Sequence, residues 1–242
     1  MFSTFIYLII AILIFTIYQP SENPGLSAVG AFAFAAGLIF GFAIVSRWFF
    51  RRLSKSIDQI DAFNADNRFS SLLTRQSIMA VALFAILVHG LGLPSQLGHW
   101  TFFQMLPTLL AVVFLLLFLF LLTVVWYHAY ASYRQLYGAD VSRQAYIISN
   151  WRMSVPILIP WVMISLIADI IFALPFESPK GFLGTTEGEV VYFLTFLILV
   201  AVFAPLVIQR LWGCTPLEPG FYRERIENLC QRADIGYRNI MY

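Results

Sequence analysis

The sequence predicts an all-α protein: a polytopic membrane bundle of six transmembrane helices over residues 1–208, followed by a tail over 209–242 that opens a water-soluble domain. Three observations carry this reading. Of the 242 residues, 60% are hydrophobic and 12% charged, roughly half the charged share of a soluble domain. Apolar runs of roughly 18 or more residues recur, the length at which a helix crosses hydrocarbon. Fourteen of the fifteen Lys and Arg residues fall on one side of the layout that those runs define.

The first span runs from about Phe2 to Tyr18. It is short, but a rise of ~1.5 Å per residue suits a thin hydrocarbon core. It has no basic n-region and no small-x-small cleavage site, so it reads as a membrane helix and not as a removed signal peptide. Gln19 to Pro24 forms a tight polar turn. The second span, about Gly25 to Ser46, is rich in Gly and Ala, which suits close helix contact. The third covers about Ser77 to Leu93 and the fourth about Met105 to Tyr127. The fifth covers about Met153 to Pro175, with Pro156 and Pro160 one turn apart and a kink expected there. The sixth runs from about Glu189 to Ile208.

The basic residues orient the bundle. Arg47, Arg51, Arg52, Lys55, Arg68 and Arg75 follow span two; Arg134, Arg143 and Arg152 follow span four. Arg210, Arg223, Arg225, Arg232 and Arg238 follow span six, and Lys180 alone lies opposite. The positive-inside rule makes the rich side cytoplasmic, with both termini there. The expected location is an integral one, by default in a bacterial cytoplasmic membrane. The lipid bilayer is the first partner. A net charge of +2 gives no reason to expect nucleic acid. Between spans, Ile57, Ile60 and Phe63, and then Tyr130, Tyr133 and Tyr137, repeat at near-helical spacing. They read as helix extensions or interfacial helices.

Two cysteines, Cys214 and Cys230, fall in the tail. In a reducing compartment a structural disulfide is not expected. Cys230 lies on the apolar side of a helix pattern, and Cys214 beside Trp212 stands where acylation occurs.

Three side chains invite a functional reading. His89 in span three and Asp169 in span five both fall in the outer half of the membrane. An ionisable group there needs a partner to offset its cost, and the two form the obvious polar pair. A structural hydrogen bond between helices is the plainer use of such residues; a proton or ion pathway is the sharper one. His128 closes span four between Tyr127 and Tyr130, at an edge where a soluble domain can dock.

In the tail, Pro216 and Pro219 separate the sixth helix from the next segment, and Pro219 sits as a first-turn proline. Tyr222, Ile226, Leu229, Cys230 and Ala233 then make an apolar stripe, Gly236 ends the helix, and Tyr237 to Tyr242 begins a strand. One helix of this length needs something against its stripe, and an isolated strand is unstable. The layout reads as a fragment whose partner elements lie beyond Tyr242.

This tail, with RERIENLCQRA followed by Ile-Gly-Tyr-Arg-Asn-Ile, resembles the opening of the catalytic domain in the HtpX and CAAX prenyl protease superfamily of membrane zinc metallopeptidases. The resemblance is specific over about Leu211 to Tyr242 and general over the six spans. It implies a hydrolase: the N-terminal membrane part of a zinc-dependent metalloendopeptidase acting on membrane-associated or misfolded polypeptides. The family's HExxH helix, with its two histidine ligands and general-base glutamate, is absent from residues 1–242. No catalytic or metal-binding residue carries over. Zinc is therefore expected for a full-length protein and not for this chain, which is expected to be inactive alone. The rival reading is a complete non-enzymatic membrane protein, a small transporter or an assembly partner, with His89 and Asp169 as its working residues.

Overall fold

The computed structural model describes residues 3–20, 27–57, 59, 61–173, 181, 184–213, 215–237 and 239–241. Most of the turn before the second helix, Ile60, most of the loop carrying Lys180, Cys214, Arg238 and Tyr242 lie outside the described residues. The chain divides into two compact units, residues 1–191 and 192–242.

The first unit is built from helices α1 (Ser3–Thr16), α2 (Ala28–Ile57), α3 (Ala62–Ala85, continued by a π turn over Ile86–Gly90), α4 (Leu93–Gly98), α5 (Thr101–Met105), α6 (Pro107–Tyr137) and α7 (Arg143–Ala173). A further helix, α8 (Thr186–Trp212), crosses the division, and α9 (Phe221–Arg232) belongs to the tail. Among the described residues, three helices are long and apolar enough to cross a membrane: α2, α3 with its π turn, and α6. A fourth qualifies if the two arms of α7, which meet at 49° between Pro156 and Leu158, count as one span. The bend falls where the prolines predict it: a proline N–H is missing and its ring displaces the carbonyl one turn back. Helix α1 is apolar but shorter.

Helix α6 is the hub. Its 31 residues extend about 46 Å at 1.5 Å per residue, well beyond a hydrocarbon core of about 30 Å. It packs against α1, α2, α3, α4, α5 and α7. Phe114, Leu115, Phe118, Leu119, Leu121, Leu122, Val125, Trp126 and Ala129 are all buried along it. Leu116 and Phe120 face outward, about half exposed, as do Ile44 and the more exposed Phe40 on α2. Such outward apolar surface is unfavourable in water and neutral in lipid.

Of the two forms expected for the inter-span segments, helix extension is the one realised. Helix α2 continues to Ile57, α3 begins at Ala62, and α6 runs through Tyr130, Tyr133 and Tyr137. Gly138, at φ +57°, ends it in the left-handed region where a side chain would be strained. The short helices α4 and α5 have no counterpart in the sequence pattern; they fill the connection assigned to the end of span three and the start of span four.

Polar contacts tie the long helices together. Ser46 of α2 donates to Gln76 of α3 at 2.8 Å, both buried. Trp151 of α7 donates to the Thr123 hydroxyl of α6 at 2.8 Å. Ser132 of α6 reaches the Phe50 carbonyl of α2 at 3.3 Å. Without such partners each group would carry a desolvation penalty.

Phe118→Ala is expected to cost about 3–5 kcal/mol, read as a lower thermal midpoint of the detergent-solubilised protein. Phe120→Ala, two positions on in sequence but on the outward face, is expected to stay within about 0.5 kcal/mol. Equal effects would show that α6 is not the packing hub.

Candidate functional site

The end of the first unit that lacks Lys and Arg among the described residues brings together the C-terminus of α1, the π turn, α4, the N-terminus of α6 and the end of α7. His89 and Asp169 both lie here, but no hydrogen bond or ion pair joins them. Each engages a helix terminus instead.

His89 sits in the π turn and its Nε2–H donates to the Ile14 carbonyl at 2.9 Å. Ile14 is in the last turn of α1, where carbonyls have no partner within the helix. Two neighbours are met locally: Ile17 donates to Leu13 and Tyr18 to Phe15. Ile14 is met by His89. The Tyr18 ring stands edge-on to the imidazole at 5.6 Å, and its hydroxyl bonds Ser95 on α4.

Asp169 does the converse at an N-terminus. Helix α6 begins with Leu106 as its cap, a residue with no side-chain acceptor, and Pro107, which has no N–H. The next free donor, the Thr108 N–H, is accepted by Asp169 Oδ2 at 2.6 Å. A carboxylate at this position also complements the positive end of the helix dipole. Asp169 is half-buried and lines a cavity of about 670 Å³ with Tyr18, Ser95, His99, Trp161 and Ser165 among its walls.

The opposite end collects the cations. A cavity of about 580 Å³ between α2, α6 and the start of α7 is lined by Arg47, Arg51, Lys55, Arg143 and His128, with Ser54, Tyr127 and Gln135. His128 is half-buried and packs edge-on to the Tyr127 ring at 5.3 Å. The docking edge expected from sequence is thus part of a basic cleft, a feature missed because its residues are spread over about a hundred positions. Ser54 donates to Gln135 at 2.8 Å, fixing the α2 extension to that of α6.

Beside it, Tyr130, Tyr133, Tyr137, Tyr146 and Phe69 form a continuous aromatic cluster joining α3, α6 and α7, with centroid separations of 4.6–6.5 Å. These tyrosines pack on one another, and Tyr137 also donates to Asp66. Phe69, Tyr133, Tyr137 and Tyr146 border a third cavity of about 690 Å³.

The tail departs from its sequence reading in three places. Helix α9 starts at Phe221, with Gly220 as its cap, so Pro219 precedes the helix and is not its first-turn residue. It stops at Arg232, not at Gly236: Asp234 takes φ +52°, Ile235 donates to Cys230 at 2.9 Å and Asp234 to Gln231 at 3.2 Å. These two bonds make a Schellman closure with aspartate where glycine is usual. The strand-like end does find a partner. Met241 bridges Pro216 in antiparallel fashion, and the Leu217 N–H donates to Ile240 at 2.9 Å.

Arg223 organises this return. It donates to the Leu217 carbonyl, to Glu227 at 2.9 Å and to Asn239 at 3.3 Å. Arg223, Glu227 and Cys230 make the half-covered face, so Cys230 leaves the apolar stripe. Tyr222, Ile226 and Leu229 remain exposed.

Among the described residues no group of three His, Cys, Asp or Glu side chains is placed to hold a metal ion. The sequence contains no HExxH motif.

The class this defines is a helical protein with several apolar helices long enough to cross a membrane. No protein-family model matches the chain, and no curated protein or solved structure is significantly similar to it.

Asp169→Ala is expected to lower stability by about 1–2 kcal/mol, the cost of a lost N-cap. Asp169→Asn, which keeps an acceptor oxygen, is expected to recover at least half of that. Chemical unfolding in detergent reads both; Asn as damaging as Ala would argue against the capping role.

Proposed function

We propose that this chain is the membrane-embedded N-terminal part of a zinc-dependent metalloendopeptidase of the HtpX and CAAX prenyl protease kind. In this reading six spans, with α1, the two arms of α7 as one, and α8 included, anchor a catalytic segment. The basic end faces the cytoplasm, both termini lie there, and the membrane is the bacterial cytoplasmic one. The substrates are membrane-associated or misfolded polypeptides.

One observation supports this best: the form of the tail. Helix α9 and its return segment are joined by backbone pairing and by the three bonds of Arg223. Yet Tyr222, at 76% exposure, and Leu229, at 59%, stay uncovered. A helix whose polar face is organised and whose apolar face is bare is suited to pack on further structure. That arrangement agrees with the sequence resemblance, in which such a helix and strand lead a larger catalytic fold. In this reading the zinc and its ligands belong to that larger fold.

The test is the native protein purified from its own membrane. A mass well above 27.6 kDa, bound zinc, and peptide cleavage abolished by a chelator are expected. The 242-residue chain alone is expected to cleave nothing. A native mass of 27.6 kDa without zinc overturns the proposal.

A second reading, solute or proton transport, draws on the cavity beside Asp169. Asp169→Asn and His89→Ala in vesicles test it. Unchanged flux removes the motive for it, because the helix-end bonds then account fully for both residues.

A further inference from the structure

The basic cleft has no role in the peptidase reading. Arg47, Arg51 and Lys55 stand at i, i+4 and i+8 on α2 and share one face. Arg143 closes the cleft from the first turn of α7. Its guanidinium lies 4.5 Å from the Tyr127 ring centroid and 5.3 Å from that of Tyr130. Stacking of this kind holds the planar fork in place while leaving its N–H groups able to donate. His128 also lines the wall.

No acidic residue lines the cleft among the described residues. Nor, among those residues, does a carboxylate stand within ion-pair distance of these cations; the single ion pair is Arg223–Glu227 in the tail. Four like charges gathered around one cavity repel unless an anion joins them. The start of α7 lies at the same place; Ser142 caps its Ala145 N–H, and the positive end of the helix dipole favours negative charge.

The surface leading away from the cations selects between anions. Phe40, Ile44 and Trp48 form a stripe on α2 that runs from the apolar middle of the helix to the level of Arg47, at 69%, 52% and 54% exposure. Ile44 lies three residues before Arg47, so the two adjoin on the helix surface. A soluble anion would use the cations and leave the stripe bare. A molecule with an anionic head and hydrocarbon chains would use both.

The geometry points to a binding site for the phosphate-bearing headgroup of an anionic phospholipid between α2, α6 and α7. Arg47, Arg51, Lys55 and Arg143 contact the phosphate oxygens, and the acyl chains follow the α2 stripe. This site rests on the proposed membrane placement but not on the peptidase activity. Its test is therefore separate: lipid retention says nothing of native mass or zinc, and the reverse holds.

The experiment is native mass spectrometry of the full chain from mixed micelles of phosphatidylglycerol and phosphatidylcholine with identical acyl chains. One phosphatidylglycerol is expected to be retained in clear preference. Arg47→Gln and Arg143→Gln are each expected to lower that retention about fivefold, the usual effect of one basic residue at an anionic surface. The pair Arg68→Gln and Arg75→Gln removes charge from α3, outside the cleft, and is expected to leave retention unchanged. Arg47→Lys with Arg143→Lys keeps the charge and is expected to retain the lipid, so a poorly folding Gln variant does not decide the matter. Equal retention of phosphatidylcholine overturns the proposal. So does an equal loss in the α3 pair. Displacement of the lipid by inorganic phosphate alone would make this a free-phosphate site and overturn the lipid assignment.

Discussion

The rest of the structure depends on one constraint: a backbone polar group within hydrocarbon must find its partner inside the protein. Helix interiors meet it automatically, and helix ends do not. The first unit meets it, at the end without cations among the described residues, by lending side chains from other helices. His89 covers a carbonyl at the close of α1, and Asp169 covers an N–H at the opening of α6. Each side chain has the sign its terminus requires, a donor at the carbonyl end and an acceptor at the amide end. These two bonds give both ionisable residues a partner at a helix end. The constraint also sets how α1 staggers against α3 with its π turn, and how α6 staggers against α7, because each bond fixes the height of one helix against another.

The same logic relaxes at the basic end. There α2, α3 and α6 overrun the hydrocarbon thickness, and the extra turns carry Arg, Lys and Tyr. Packing there is aromatic and inter-helical, from Phe50 through Phe69 to Tyr133 and Tyr146. The tyrosines hold α3, α6 and α7 together and leave the cations at the rim. The basic cleft forms where these long helices bring their terminal cations side by side.

Much of the fold was legible in the sequence because its main signals are local. Apolar run length marked α2 and α6, paired prolines marked the bend of α7, and tyrosine spacing marked the extension of α6. Boundaries were less legible. The apolar pattern starts span three at Ser77, whereas α3 begins at Ala62, because Asn64, Asp66, Asn67 and Arg68 dilute the apolar signal over its first turns. Helix α9 was extended to Gly236 because glycine is the usual residue in the left-handed position; Asp234 takes it instead. The partner of the strand-like end, Pro216, was illegible because proline is a poor strand former and the pair is 25 residues apart.

The candidate site was legible only as an inventory. Position along the spans sorts His89 and Asp169 to one end and His128 to the other, yet depth does not choose a partner. Coulombic attraction suggested that a histidine and an aspartate in the same half of a membrane should meet. What outweighs that attraction is the number of unmet backbone groups nearby. A backbone terminus in hydrocarbon cannot move to find water, whereas a side chain can rotate to reach it. One bond between His89 and Asp169 would satisfy two side chains and leave Ile14 and Thr108 bare. Two bonds to helix ends satisfy all four groups. The arrangement adopted is the one that leaves fewer polar atoms alone, and that criterion, more than charge pairing, decides where an ionisable residue points inside a membrane bundle.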